Sequence, residues 1–284
     1  MAGPERIVSL CPSNTEIVAA LGLLPRLVGI DDYSDFPPEV AGLPRVGPDL
    51  QVDLERVAAL RPDLVLASLS VPGMEQNVQG LAERGLPTLT LDPHSLAAVW
   101  ESMRSVARAA GVPEAAEAAV AALQGRVAAV AARAADLPRP QVYWEWWPKP
   151  VYTPGGRNWL TDLTALAGGS NCFAGYDVDN VRLEPAAAAA AQPEVMLTVW
   201  CGVAAEKIKP AQILERPGWE GVPAVRSGQV YILSEGLYCR PSPRLVDGLE
   251  LLAGILHPEA FPEFAPAGRH LGHGGGRFWV PAAE

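Results

Sequence analysis

The sequence predicts an α/β protein with two Rossmann-like lobes, each built on a mainly parallel sheet, joined by one long α-helix. Three observations lead to this prediction. Short apolar runs alternate with helical segments before residue 113, the same alternation returns after residue 136, and an alanine-rich segment separates the two blocks. Strands that are separated by helices of this length pair in parallel, with helices on both faces of the sheet.

The alanine-rich segment runs from Pro113 to Asp136 and is interrupted only by Gly125. Alanine has the highest helix propensity, so the segment predicts one helix of roughly 24 residues and about 36 Å. Pro113 suits a first helical turn, Glu114 complements the positive end of the helix dipole, and Arg133 falls where a cation is favoured. We expect this helix to join two lobes. The alternative is a long helix packed on the face of one domain.

The predicted organisation has four parts. Residues 1–112 form an N-terminal α/β lobe, 113–136 the connecting helix, 137–258 a C-terminal α/β lobe, and 259–284 a tail. A chain of 284 residues is long enough for two lobes of ordinary size. Proline and glycine dominate the tail, so irregular structure is expected there.

Apolar runs bounded by turn residues predict the elements of the first lobe. The predicted strands are 6–10, 27–30, 64–67 and 88–91. A first helix is expected after a cap at Ser13 or Asn14, and further helices are expected at 53–60, 74–84 and 95–110. The second lobe repeats this plan, with strands at 141–146, 195–197 and 230–233 and helices at 159–167, 184–191 and 243–256.

Composition excludes several classes of function. The formal net charge is −10 and the pI is near 5.0, with no compensating cluster of lysine and arginine. Binding to the nucleic-acid backbone needs a positive surface, so no nucleic-acid partner is expected. No apolar run reaches the length of a membrane span, and residues 1–10 lack the pattern of a signal peptide.

The cysteines and histidines do not form a recognisable motif. Cys11, Cys172, Cys201 and Cys239 are widely spaced, which predicts buried or free thiols rather than a zinc site, and leaves a pairing open. Only four histidines are present, two of them in the glycine-rich tail, so a Ser–His or Cys–His pair has few places to form. We predict no catalytic residues, no metal site and no cofactor.

Aromatic residues follow several of the predicted strands. The segments after the strands are 12–14, 33–36, 69–71, 144–149, 200–202 and 238–240. They include Tyr33, Trp144, Trp146, Trp200 and Tyr238. Ligands of open parallel sheets bind beyond the carboxyl ends of the strands, so these residues predict a cleft between the lobes for a large, flat, partly apolar ligand. The alternative is that the tryptophans pack in the core.

Four segments carry a family resemblance. They are 6–16 (RIVSLCPSNTE), 33–39 (YSDFPPE), 53–65 (DLERVAALRPDLV) and 240–244 (RPSPR). Together they resemble the vitamin B12 (cobalamin) branch of the substrate-binding proteins of ABC importers, in order from about residue 5 to 257. That group, shared with haem and siderophore binders, has two α/β lobes joined by one long helix. The resemblance therefore implies the same fold and a binding protein rather than an enzyme.

The resemblance implies ligand contacts at individual residues. Tyr33 matches a tyrosine that contacts the corrin ring, Trp146 and Tyr152 align with phenylalanines of one loop, and Arg240 matches an arginine that reaches the ligand. Tryptophans that line the family pocket align here with Asp49, Leu69 and Asn180. Trp144, Trp147 or Trp200 is expected to take their place, or the ligand is another corrinoid or a different flat molecule.

The resemblance also implies a permease partner. In the family one glutamate per lobe docks on the permease, and Glu75 matches the first. The second falls at Ala186, so Glu184, two positions away, is the candidate. We expect a monomer that delivers a corrinoid to an ABC importer.

Two further interpretations stay open. One is a haem or ferric-siderophore carrier of the same fold, in which Tyr33 or Tyr238 approaches iron. The other is a cytoplasmic corrinoid-handling protein, because the numbered chain shows no signal peptide although the family implies a periplasmic or cell-envelope location.

Overall fold

The structure is a computed structural model that describes residues 3–273 and 276–281. By compactness the chain divides into two units. Unit 1 is the chain up to Gly125 together with Pro241–Pro243, and unit 2 is the chain from Arg126 onward without that short segment. Each unit is described by itself below.

Unit 1 is built on a four-stranded parallel sheet with flanking helices. Its strands are β1 (Ile7–Ser9), β2 (Leu27–Ile30), β3 (Leu64–Ser68) and β4 (Thr88–Leu91). Its helices are α1 (Pro12–Ala20), α2 (Leu54–Ala59), α3 (Glu75–Glu83) and α4 (Leu96–Ala109), with short 3-10 helices at Leu24–Arg26 and Pro38–Gly42. The strand order is β2-β1-β3-β4, and every residue of the two central strands is buried. Continuous burial is typical of parallel strands covered on both faces.

Local capping signals place the starts of α2 and α4 correctly. The Asp53 carboxylate accepts hydrogen bonds from the backbone N–H groups of Glu55 and Arg56, both at 3.1 Å. The Ser95 hydroxyl accepts one from the N–H of Ala98 at 3.2 Å. These bonds satisfy N–H groups that have no partner inside the helix.

The predicted cap of α1 is wrong. The helix begins at Pro12, which places Ser13 and Asn14 inside it, and no side chain caps its first residues. The Ser13 hydroxyl contacts the Cys11 thiol at 3.2 Å, and the Asn14 amide donates to the carbonyl of Ala67 at 3.0 Å. Ser13 is therefore used in a local contact, and Asn14 is used in a tertiary contact.

The long helix α5 (Pro113–Ala134) ends two residues before the predicted limit. The division between the units falls inside it, between Gly125 and Arg126. Within the described part of the chain, α5 is the one helix that is long and apolar enough to cross a membrane, which the sequence expectation missed. Two arginines of α5 form ion pairs with carboxylates of unit 2. Arg126 lies 2.6 Å from Glu250, and Arg133 lies 2.5 Å from Glu263.

Unit 2 contains two sheets. Its strands are β5 (Gln141–Glu145), β6 (Trp147–Pro148), β7 (Val151–Pro154), β8 (Ser170–Asn171), β9 (Asn180–Leu183), β10 (Val195–Thr198), β11 (Val230–Ile232), β12 (Gly268–His273) and β13 (Gly276–Pro281). Its helices are α6 (Trp159–Leu166), α7 (Pro185–Ala190), α8 (Ala211–Leu214), α9 (Pro223–Ser227) and α10 (Leu245–Leu256), with short 3-10 helices at Ala205–Lys207, Glu235–Leu237 and Pro262–Phe264. The larger sheet has the order β12-β13-β11-β10-β5-β8, and the smaller one is an antiparallel β6-β7-β9 sheet.

The larger sheet of unit 2 is mainly parallel. Strand β5 pairs in parallel with β8 and β10, and β11 pairs in parallel with β10 and β13. Only the β12–β13 pair of that described sheet is antiparallel. The predicted fold class is therefore confirmed: two α/β units carry mainly parallel sheets, and α5 continues from the first into the second.

The tail corrects one expectation. Residues 259–284 were expected to be irregular, but β12 and β13 form a hairpin that joins the larger sheet. Trp279 of β13 pairs with Tyr231 of β11, and their ring centroids lie 5.8 Å apart. The apolar run Phe278-Trp279-Val280 supplies a strand that the surrounding glycines and prolines conceal in the sequence.

Candidate functional site

Unit 1 exposes large apolar side chains on loops near the carboxyl ends of its strands. Tyr33 and Phe36 follow β2, Val71 follows β3, and Leu50 lies on the loop before α2. Tyr33 is 56% exposed, and the other three are 38–41% exposed. We call these four residues the unit 1 apolar set. Exposed groups of this kind are typical of ligand or partner contacts.

A buried polar network holds the loop that carries Tyr33. The Asp31 carboxylate is buried and accepts hydrogen bonds from the Tyr33 N–H, at 2.8 Å, and from the Ser34 hydroxyl. Ser34 and Thr15 share a hydrogen bond of 2.7 Å between their hydroxyls, and Arg45 donates to the carbonyls of Asp31 and Ser34. These bonds fix the backbone while the Tyr33 ring stays exposed, so the ring is positioned before any ligand arrives.

Unit 2 exposes a second group of apolar side chains on and beside its small antiparallel sheet. Trp147 on β6 and Tyr152 on β7 are directly paired, and they are 42% and 36% exposed. Tyr176 and Val178, in the segment before β9, are 52% and 39% exposed. We call these four residues the unit 2 aromatic set. The resemblance pointed to Tyr152, and Trp147 was one of the three tryptophans expected to replace those that the family pocket has and this chain lacks.

Trp146 directly precedes Trp147 of this set in the sequence. Its side chain is half-buried, and its ring centroid lies 5.4 Å from that of Trp159. The indole N–H is buried and finds no acceptor among the described residues. The predicted ligand contact of Trp146 stays a prediction.

The structure supports the packing alternative for Trp144 and Tyr238. Both side chains are fully buried, and their ring centroids lie 5.2 Å apart. The Trp144 indole N–H donates to the Thr164 hydroxyl at 2.9 Å, and the Tyr238 hydroxyl donates to the carbonyl of Gly248 at 3.0 Å. Burial also raises the pKa of the Tyr238 phenol. Their predicted ligand contacts stay predictions that this burial does not favour.

Trp200 belongs to a buried cluster around Glu145 that sequence reasoning missed. The Glu145 carboxylate is fully buried and accepts hydrogen bonds from Trp200 at 3.1 Å, Tyr143 at 3.0 Å and Arg216 at 2.8 Å. A second bond from the Arg216 guanidinium makes the pair bidentate. The available signal was a single acidic residue inside the apolar run Val142-Tyr143-Trp144-Glu145-Trp146. The Trp200 indole N–H is thus used in a hydrogen bond within this cluster. Its contact with a ligand also stays a prediction.

Arg240 is largely buried and bound within its own loop. Its guanidinium donates to the Glu235 carboxylate at 2.8 Å. The same carboxylate accepts the N–H of Gly202 at 3.1 Å. Any ligand contact by Arg240 therefore has to share the guanidinium with Glu235, and that contact remains a prediction.

The two predicted docking glutamates lie one in each unit. Glu75 is the first residue of α3, is exposed, and accepts the N–H of Gly73 at 2.7 Å. Glu184 is exposed and precedes the first residue of α7. Their docking role stays a prediction.

The buried cysteines and the possible metal ligands were also compared with the two exposed apolar sets. Burial raises the pKa of the Cys11 and Cys172 thiols to about 11. Across residues 3–273 and 276–281, no group of three or more histidine, cysteine, aspartate or glutamate residues is arranged to hold a metal ion.

A cavity of about 760 Å³ lies elsewhere in unit 2. Its lining includes Pro140, Glu194 and Gln229, which precede β5, β10 and β11, together with Tyr231 and Trp279. It therefore opens at the amino ends of the parallel strands, which is the edge opposite to the predicted site.

Known proteins match almost the whole chain. The family model described as periplasmic binding protein matches residues 7–236. An uncharacterised ABC transporter substrate-binding lipoprotein of Bacillus subtilis strain 168 is 30% identical over 266 residues, which cover 92% of this chain and 82% of the relative.

Solved structures give the same result. The crystal structure of the periplasmic vitamin B12 binding protein of Vibrio cholerae has a TM-score of 0.76 and 26% identity, covering 90% of this chain and 98% of that one. The apo periplasmic heme-binding protein of Roseiflexus sp. RS-1 has a TM-score of 0.78 and 30% identity, covering 91% and 100%. The chain therefore belongs to the periplasmic binding protein family, as a substrate-binding protein of ABC importers.

Proposed function

We propose that this chain binds a cobalamin-like corrinoid and delivers it to the permease of an ABC importer. The observation that carries the proposal is the exposure of aromatic rings on fixed backbone, Tyr33 in unit 1 and the Trp147–Tyr152 pair in unit 2. Aromatic faces of this kind bind a flat macrocycle by stacking and by covering its apolar surface. The similarity to a vitamin B12 binding protein supports the same ligand class.

Haem is the second candidate, and the exposed Tyr33 phenol is the observation that favours it. Iron in haem usually takes an axial ligand from the protein, and tyrosine is one of the residues that serve. Tyr238 is less suitable, because its hydroxyl is buried and already donates to Gly248. Cobalamin brings its own axial base, so it needs aromatic surface and polar anchors but no protein ligand to the metal.

A ligand panel separates these candidates. Purified protein is titrated with cyanocobalamin, cobinamide, haemin and a ferric hydroxamate, and binding is followed by calorimetry and by visible absorbance. The proposal expects saturable binding of cyanocobalamin or cobinamide that is tighter than haemin binding. Tighter binding of haemin or of the ferric hydroxamate would transfer the proposal to that ligand, and heat from none of the four would remove it.

Delivery to a permease requires a location in the cell envelope, and the similarity to a substrate-binding lipoprotein and to a periplasmic binding protein supports that location. We propose that Glu75 contacts the permease from unit 1 and Glu184 from unit 2. Exposed carboxylates are suited to such a contact, because charge complementarity steers association.

The docking proposal is tested in vesicles that contain the cognate permease and its ATPase. Glu75→Ala is expected to reduce stimulation of ATP hydrolysis and ligand uptake while ligand affinity stays unchanged. Glu83→Ala, at the other end of the same helix and also exposed, is the matched control. Equal activities of the two variants would contradict a docking role for Glu75.

A further inference from the structure

Two cysteines of unit 2 come from loops that leave neighbouring strands. Cys201 follows β10, and Cys239 follows the 3-10 helix Glu235–Leu237 beyond β11. Strands β10 and β11 are parallel neighbours, with Thr198 paired to Ile232 near their carboxyl ends. Adjacent strands lie about 5 Å apart, so the two loops start side by side.

Hydrogen bonds hold the two loops together. The Glu235 carboxylate accepts the N–H of Gly202 at 3.1 Å, while the Glu235 carbonyl accepts the N–H of Cys239 at 2.8 Å. The Cys239 thiol donates to the carbonyl of Val199 at 3.8 Å. These bonds place Cys201 and Cys239 on adjoining loops, with the Cys239 thiol beside the backbone of the segment that leads to Cys201.

Cys201 and Cys239 lie on the two loops that these hydrogen bonds join. Both thiols are free, both side chains are half-buried, and the neighbouring Gly202 is exposed to solvent. A disulfide needs its two sulfur atoms within bonding reach, and thiols held on adjoining loops need little backbone movement to meet that condition.

We propose that Cys201 and Cys239 form a dithiol that closes reversibly to an intramolecular disulfide when the protein meets a low-molecular-weight disulfide such as oxidised glutathione. The Cys201 thiolate attacks one sulfur of the oxidant and releases the first glutathione thiolate. The Cys239 thiolate then attacks the Cys201 sulfur of this mixed disulfide and releases the second. The protein loses two electrons and two protons, and one molecule of oxidised glutathione becomes two of the thiol.

The surroundings of Cys239 assign the order of attack. Burial, the Cys201 thiol and the Glu235 carboxylate hold the pKa of Cys239 well above its ordinary value, although Arg240 opposes them. The thiolate is the nucleophile, and Cys201, which adjoins the exposed Gly202, is the thiol that an oxidant in solution reaches first. Closure is therefore expected to accelerate as pH rises above neutrality.

Closure has a consequence for the loops. The bond would tie the loop that begins with Trp200 and Cys201 to the loop that contains Tyr238, Cys239 and Arg240. A covalent link between segments that far apart in sequence restricts the unfolded chain, so the oxidised protein is expected to melt several degrees higher than the reduced one.

The test uses the full chain in its reduced form. The protein is incubated with oxidised glutathione at pH 7, 8 and 9, quenched with acid, alkylated and analysed as intact protein and as peptides by mass spectrometry. The expected product has lost the mass of two hydrogen atoms, contains the Cys201 and Cys239 peptides cross-linked, and reverts with dithiothreitol. Formation is expected to be faster at the higher pH.

Variants identify the two steps. Cys239→Ser is expected to stop at a stable glutathione adduct on Cys201, whereas Cys172→Ser is expected to close as the wild type does. The wild-type experiment decides the proposal by itself if a variant fails to fold. A persistent glutathione adduct on wild-type Cys201, a cross-link to Cys11 or Cys172, or four thiols still open to alkylation after oxidation and unfolding would each overturn it.

Discussion

Glu145 and Arg216 form a bidentate ion pair inside unit 2, although 71 positions separate them in sequence. Glu145 is completely buried and the Arg216 side chain is 11% exposed. Trp200 donates to Oε1 of the same carboxylate and Tyr143 to Oε2, so each oxygen accepts one bond from Arg216 and one from an aromatic side chain. A buried pair adds little net stability, but removing one partner leaves a charge without compensation.

We expect Glu145→Gln to lower the free energy of unfolding by about 3 kcal/mol, because the Arg216 guanidinium would remain buried without a countercharge. Urea unfolding of wild type and variant measures the difference. The double variant Glu145→Gln/Arg216→Met removes both charges, so it is expected to recover part of the loss. An unchanged unfolding midpoint in Glu145→Gln would contradict the importance of the pair.

Two helical glycines are expected to respond in opposite directions to alanine. In Gly254→Ala the new Cβ would lie 2.1 Å from the carbonyl oxygen of Phe264, a backbone atom that cannot move aside freely. Overpacking of this kind destabilises by roughly 1–3 kcal/mol. Gly125 in α5 has no neighbouring atom within 4 Å of a Cβ, so Gly125→Ala is expected to stabilise by roughly 0.5–1 kcal/mol. Thermal melting of both variants tests these two predictions. A lower melting temperature in both variants would contradict the prediction for Gly125.

We expect the buried Cys11 thiol to make the folded protein less stable in alkaline solution. Burial raises the pKa of this thiol to about 11, from an ordinary value of 9.0. Between these values the unfolded chain loses the proton while the folded protein keeps it, so stability falls as pH rises from 9 to 11 and levels off above. The expected loss from this group is about 3 kcal/mol.

Cys11→Ala is the comparison for that effect. The variant starts with lower stability at pH 8 because it loses buried sulfur, but its stability is expected to fall less between pH 9 and 11 than that of the wild type. Urea unfolding at half-unit steps of pH gives the two slopes. Parallel slopes would show that the thiol is not buried as described.

Tyr33 distinguishes stacking from coordination of a metal. If the ring stacks on a corrinoid, Tyr33→Ala is expected to weaken binding roughly tenfold, because an exposed aromatic contact contributes about 1–2 kcal/mol. Tyr33→Phe keeps the ring and is expected to bind the corrinoid almost as the wild type does. Calorimetric titration gives both affinities. A large loss in Tyr33→Phe, together with haemin binding to the wild type, would indicate a phenolate ligand instead.

Local signals were sufficient for much of the secondary structure. The bounds predicted for β2, β4 and α5 agree with the structure at their first residues, because β-branched runs and an alanine-rich segment carry the preference by themselves. The hairpin of β12 and β13 was missed, since its short apolar run becomes a strand only by pairing with β11. The cap of α1 failed for a related reason: Asn14 is bound to Ala67, which is distant in sequence.

The amino-acid sequence alone determined the alternation of strands and helices, the long alanine helix and the family, because these depend on neighbouring residues and on ordered motifs. Only the tertiary structure decided which aromatic residues are exposed. Trp144 and Trp147 are three positions apart, yet one is fully buried beside Tyr238 and the other is 42% exposed opposite Tyr152. Burial depends on which distant segments pack over a side chain. The local sequence around the tryptophans does not specify those segments.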